Sequence, residues 1–124
     1  MFQAAELRTP EFIAELASRD DSAVFVAETD GIVGVAHGLL RSAPDLSIFV
    51  AQQWGVLDSL AVDPAWRRRG IGRLLAQAVE AWAFGRGASW VEVGVYDFDD
   101  EARRFYQSLE YLPLRSILRK PRSS

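Results

Sequence analysis

The sequence predicts an α/β chain of the α+β type, with a mixed, mostly antiparallel central sheet and helices on both faces. Three observations predict it. Two β-rich runs, Ala23–Glu28 and Ile32–Leu40, flank the turn Thr29-Asp30-Gly31 and read as a hairpin. A long helical period follows the glycines Gly70 and Gly72. From Trp54 onward the order is strand, helix, strand, helix, strand, which needs a sheet with helices packed on it.

In chain order, Thr9-Pro10-Glu11 starts a short helix to about Arg19, with Phe12, Ile13 and Leu16 on one side, and Asp20-Asp21 ends it. The hairpin follows and Ser42-Ala43-Pro44-Asp45 breaks it. Residues 46–53 are apolar without a clear period and read as a loop or a ragged strand. Trp54–Val62 is the third strand, closed by Asp63-Pro64 because proline cannot donate to a ladder. The helix from Gly70 to about Phe84 puts Ile71, Leu74, Leu75, Ala78 and Trp82 on one face, and Gly85 suits its carboxyl cap. Trp90–Tyr96 is a strand. Asp99 caps a helix to about Leu109, with Asp100 and Glu101 in its first turn, where the helix dipole favours acids. Tyr111–Leu118 reads as a last strand, or a strand pair bent at Pro113.

Composition limits function. The chain has 124 residues and no linker or repeat, so one domain over 1–124 is expected. With no cysteine and one histidine, disulfides, thiolate ligands and multi-histidine metal centres are excluded, and no metal is expected. No apolar stretch is long enough to span a bilayer and no signal sequence opens the chain, which predicts a soluble cytoplasmic protein without a membrane partner. Residues 1–62 carry three Arg against nine acids, and residues 63–124 carry eleven Arg and Lys against eight acids. The overall charge of −3 lacks the wide basic face that nucleic acid requires, and the local Arg67-Arg68-Arg69 run suits a small anion.

The segment Arg67 to Gly72 follows a strand and opens a helix. Gly70 lets the backbone approach a phosphate closely, and Gly72 removes a second Cβ. The first N–H groups of a helix have no internal acceptor and favour an anion. Two nucleotide motifs fail: the chain has no G-x-x-x-x-G-K-[ST], and Leu75 stands where G-x-G-x-x-G needs its third glycine.

Arg67-Arg68-Arg69-Gly70-Ile71-Gly72 matches the pattern R/Q-x-x-G-x-G/A, and Val95 to Tyr106 matches V-y-x-x-N-x-x-A-x-x-F-Y. On these two ordered blocks the chain resembles the GNAT N-acetyltransferase superfamily over about residues 22–120. The resemblance implies acetyl-CoA as cosubstrate. It implies that the turn of Arg67, Arg68, Arg69, Gly70, Ile71, Gly72 and Arg73 holds the pyrophosphate, with Asp99 joining the cofactor contacts. It implies that the backbone of Leu60, Ala61 and Val62 pairs with the pantetheine arm like an added strand. It assigns Tyr106 to protonating the departing thiolate, and a backbone N–H near Val62 to polarising the thioester oxygen. Three departures stand out. Asp99 replaces the usual Asn, Glu110-Tyr111 replaces the usual glycine–aromatic exit, and the amino-terminal strand and helix region is shortened.

The implied reaction is direct attack of an amine on the thioester. An alkylammonium with pKa near 10.4 loses its proton at pH 7 at a cost of roughly 4.6 kcal/mol. A carboxylate, or a water it orients, can take that proton. Asp58, two residues before Leu60, is the leading candidate; His37, Glu92 and water are the alternatives. For Tyr106, a phenol near 10 giving a proton to a thiolate near 8.5 is uphill by roughly 2 kcal/mol, less if nearby charge lowers the phenol. The expected function is acetyl transfer to a primary amine of a small molecule, peptide or protein. The alternatives are a non-catalytic acyl-CoA binding module and a phosphate or nucleic-acid binder. A homodimer is one expectation, since the family includes many dimers.

Overall fold

The computed structural model describes residues 13–43 and 52–123. These divide into two compact units, one ending at Gly94 and the other beginning at Val95.

The first unit is a five-stranded sheet in sequential order: β1 (Ile13–Ser18), β2 (Ser22–Glu28), β3 (Ile32–Ser42), β4 (Gln53–Val62) and β5 (Val91–Val93). Strands β1 to β4 pair antiparallel and β5 joins β4 in parallel, so the sheet is mixed as expected. The hairpin forms at Thr29–Gly31, and β4 ends where Asp63 caps a short 3₁₀ turn, Pro64–Trp66, its carboxylate accepting from Ala65 N–H at 2.9 Å.

The helix α1 (Ile71–Gly85) lies on one face of this sheet. Its buried residues Ile71, Leu75, Ala76, Ala78, Val79 and Ala83 meet the floor formed by Gly34, Gly38 and Gly55. A Cβ at Gly38 would stand 2.7 Å from Val79, and one at Gly55 would stand 2.7 Å from Ala83. Bare backbone therefore lets the helix settle on the sheet, and each fully buried aliphatic side chain contributes about 1.5–3 kcal/mol.

Three expectations about elements are corrected. The segment Ile13–Ser18 is strand β1, not helix, and Thr9–Phe12 lie outside the described residues. A helix this short is marginal alone, whereas β2 offers an open edge; Ile13 pairs with Ala27 and is fully buried, while Leu16 is 62% exposed. The carboxyl cap of α1 is Arg86, followed by Gly87 in the left-handed position at φ 92°, and not Gly85, which is the last helical residue. Ala88 N–H returns to Ala83 C=O and Gly87 N–H to Phe84 C=O, the paired closure of a Schellman motif. Strand β5 is shorter than Trp90–Tyr96, because pairing with β4 stops at Leu57 and Val93. The loop or ragged strand expected over 46–53 falls mostly outside the described residues, and only its last residue, Gln53, enters β4.

The second unit contains α2 (Asp100–Ser108). Asp99 caps it by accepting from Ala102 N–H at 3.0 Å, with Asp100 and Glu101 in the first turn, as expected. The strand expected over Tyr111–Leu118 is not formed; the segment is irregular and leaves Leu112, Leu114, Ile117 and Leu118 exposed. A strand exists only by pairing, and Pro113 withholds a donor within this run.

Candidate functional site

Strand β4 is paired on its second side by β5 only from Gly55 to Leu57. Beyond Leu57, no strand among the described residues pairs with that edge. Asp63 N–H donates to Val33 C=O, and alternation along an antiparallel ladder then turns Ala61 toward β3 as well. Leu60 and Val62 turn the other way and present their N–H groups on the open edge. The carbonyl of Val62 accepts from Arg67 Nε at 3.3 Å, which agrees with that orientation. Of the three residues assigned to the pantetheine arm, Leu60 and Val62 supply edge groups, and Ala61 spaces them.

The chain then runs through the 3₁₀ turn to the arginine–glycine segment. Arg68 takes a left-handed backbone at φ 63° and Gly70 at φ 79°, which reverses the chain into α1. Nothing lies within 4 Å of a Cβ built on Gly70, so this corner is open. The first intrahelical bond runs from Leu74 N–H to Gly70 C=O, which leaves the N–H groups of Ile71 and Gly72 without helical acceptors. Gly70 offers no side-chain cap, and the first turn carries no acid. The two helix starts thus differ: at α2 the protein supplies carboxylates, and at α1 it supplies arginine. Arg67, Arg68, Arg69 and Arg73 are all exposed, and the Arg69 guanidinium rests over the Trp66 ring at 4.9 Å. Positive charge at the positive end of a helix dipole is unfavourable unless an anion joins it. The corner fits a diphosphate by charge, donors and space.

The three proton-acceptor candidates fall on one face. Ala36 and Gly38 face α1, so His37 between them faces the other way. The register between β3 and β4 slips there: His37 pairs with Ser59 and Gly38 with Leu57, leaving Asp58 as the extra residue of a bulge. The bulge brings Asp58 Oδ2 within 3.3 Å of His37 Nδ1. Asp58 is also the first residue past the end of β4–β5 pairing. Glu92 on β5 is held by Trp90 Nε1, which donates to it at 2.8 Å, and Trp90 stacks on Trp54 at 5.5 Å. No grouping of three or more acidic or histidine side chains suited to a metal occurs among the described residues.

In the second unit, Tyr106 packs edge-on against Phe105 and Tyr111, and burial pushes its phenol above the ordinary value of 10.0. Among the described residues no charge lowers it. Asp99 spends one carboxylate oxygen on the helix cap. The exit from α2 is a second Schellman closure, Tyr111 N–H to Tyr106 C=O and Glu110 N–H to Gln107 C=O, with Glu110 forced to φ 70°. The Tyr106–Tyr111 contact is the apolar pair that accompanies such a closure.

What sequence reasoning missed is the pairing of His37 with Asp58, because a bulge has no local signature here. Trp90 holding Glu92 was detectable, since residues two apart on a strand share a face.

Residues 2–111 match the acetyltransferase (GNAT) family. An uncharacterized N-acetyltransferase of Archaeoglobus fulgidus is 35% identical over 109 residues, 87% of this chain and 67% of the relative. The chain thus spans about two thirds of that relative's length. Among solved structures, a mutant of the BH1408 protein of Bacillus halodurans has 28% identity and a TM-score of 0.76, covering 83% of this chain and 67% of that one. The aminoglycoside N-acetyltransferase AAC(6′)-Iy in complex with CoA shares the fold at a TM-score of 0.71 and 22% identity, covering 85% of this chain and 79% of that chain.

Proposed function

Because the chain belongs to the GNAT acetyltransferase family, we propose that it moves an acetyl group from acetyl-CoA to a primary amine of a small cationic molecule. The observation that carries this reading is the start of α1. The N–H groups of Ile71 and Gly72 lack helical acceptors there, a glycine leaves the corner open, and arginines surround it.

Acetyl-CoA supplies an acetyl thioester that a neutral amine can attack without an acyl-enzyme. Ile71 and Gly72 N–H bind the diphosphate, and Arg67, Arg68 and Arg69 draw in its charge. The edge backbone groups of Leu60 and Val62 hold the pantetheine arm, and a backbone N–H near Val62 polarises the carbonyl oxygen. The amine gives its proton to the groups at the end of β4–β5 pairing, where Asp58 and His37 stand. The C–N bond forms as the C–S bond breaks, Tyr106 donates a proton to the sulfur, and the proton still on the acylated nitrogen leaves to water, which reprotonates the phenolate. Its raised pKa makes that donation costlier than the roughly 2 kcal/mol of an ordinary phenol. It also keeps the phenol protonated across the neutral range.

A small cationic amine is supported by the excess of acids in residues 1–62 and by the aminoglycoside enzymes that share the fold. One domain over residues 1–124 is part of this reading. The test is incubation with acetyl-CoA and a panel of spermidine, free lysine and neamine, with mass detection of the product. One added acetyl group with matching thiol release is expected; thiol release without an acetylated amine overturns the reading.

A further inference from the structure

We propose that His37 and Asp58 act as one unit, in which His37 Nε2 takes the proton of the attacking ammonium and Asp58 is a positioning residue. The inference rests on the acetyl-transfer reading and assigns the base within it. Three observations carry it. The side-chain nitrogen and oxygen stand 3.3 Å apart, with side chains 32% and 51% exposed. The bulge that makes Asp58 an extra residue is what creates the contact. The pair also sits where β4 parts from β5, next to the open edge of Leu60 and Val62.

The geometry divides the roles. A carboxylate oxygen 3.3 Å from Nδ1 is placed to accept an Nδ1–H hydrogen, and that tautomer leaves the Nε2 lone pair directed away from Asp58. Neutral imidazole in that tautomer is a base at Nε2. On accepting the proton it becomes imidazolium, which faces the Asp58 carboxylate across that 3.3 Å contact. The proton passes from the ammonium nitrogen to Nε2, and the freed lone pair forms the C–N bond. Around His37, β2 contributes the apolar Val24, and β4 contributes Ser59 and Asp58. Arg41 lies further along β3 and Glu92 is held on β5 by Trp90. Asp58 is the charged group that contacts the imidazole among the described residues.

The chain has one histidine, so its imidazole nitrogens can be read by long-range ¹H–¹⁵N correlation of the whole protein without assignment. We expect the neutral ring protonated at Nδ1 in the native protein and at Nε2 in Asp58→Ala. An Nε2–H ring in the native protein, or no change in Asp58→Ala, overturns the pair. Kinetics provides the second arm, with acetyl-CoA and the best acceptor among spermidine, lysine and neamine. His37→Gln lowers kcat/KM about a hundredfold and removes the acid limb of its pH profile. Asp58→Ala loses less, and the double variant is no worse than His37→Gln alone. Losses that multiply, or an intact acid limb in His37→Gln, overturn the assignment. Stabilisation by CoA is retained in all variants, which separates a broken fold from a lost base. If native protein is stabilised by CoA yet acetylates no amine, the acetyl-transfer reading fails, and the tautomer measurement still decides the pair.

Discussion

At the scale of single residues, Gly70 and Tyr106 give opposite kinds of prediction. Gly70 combines a left-handed backbone with open space around its missing Cβ. Gly70→Ala therefore costs the fold only the left-handed penalty of about 1–2 kcal/mol, readable by urea denaturation. Its methyl would stand where the diphosphate approaches the amides. CoA affinity measured by calorimetry should fall at least tenfold; unchanged affinity would remove Gly70 from the cradle. Tyr106 is predicted from its burial. A phenol raised in the folded state holds its proton more tightly than in the unfolded chain. Its contribution to stability is therefore complete below about pH 10 and is lost as pH rises through the folded value. Tyr106→Phe should flatten the alkaline decline in melting temperature. It should also slow acetylation without abolishing it, since water can protonate the thiolate. Native turnover in Tyr106→Phe at every pH would withdraw the acid role.

At the scale of elements, both helix exits close by the same motif with different residues. Gly87 takes the left-handed position of α1 freely, whereas Glu110 takes it at α2 with a Cβ. Glu110→Gly should stabilise the protein by about 1 kcal/mol, seen as a higher denaturation midpoint with an unchanged slope. The seat of α1 predicts the reverse, since a Cβ at Gly55 would meet Ala83 Cβ at 2.7 Å with little slack on either side. Gly55→Ala should cost about 1–3 kcal/mol. These features also show what was legible. The cap at Asp99, the end of β4 at Asp63-Pro64, the hairpin at Thr29–Gly31 and the periodic helix α1 depend on neighbours in sequence, and each formed near its expected bounds. The residues that end as β1 carry a good helix pattern, and only the edge of β2 overrides it. The Asp58 bulge and the early end of β5 are decided by which strand lies alongside, and no local pattern encodes that. The open arginine–glycine turn at the start of α1 was readable because its parts are consecutive; the His37–Asp58 contact joins residues far apart in the chain and was not.

At the scale of the molecule, charge and topology meet at one end of β4. The acidic first half supplies the strands around Asp58, and the basic second half opens with Arg67-Arg68-Arg69 at the start of α1. A cosubstrate with several phosphates and a long neutral arm suits that division: the proposed reading puts the phosphates with the arginines and the arm along the edge of β4. The two contributions respond differently to salt, since exposed charges are screened within about 10 Å at 0.1 M salt while backbone hydrogen bonds are not. CoA at a hundred times its Kd should add about 2.7 kcal/mol to stability, a rise in melting temperature of roughly 10 °C for a chain of this size. That rise, followed by thermal denaturation at fixed CoA concentration, should shrink steeply as salt is raised. Pantetheine keeps the arm and lacks the phosphates, so it should bind more weakly with little salt dependence. If CoA and pantetheine stabilised the protein equally, or if salt left the CoA shift unchanged, the arginine–glycine corner would not be where the phosphates lie.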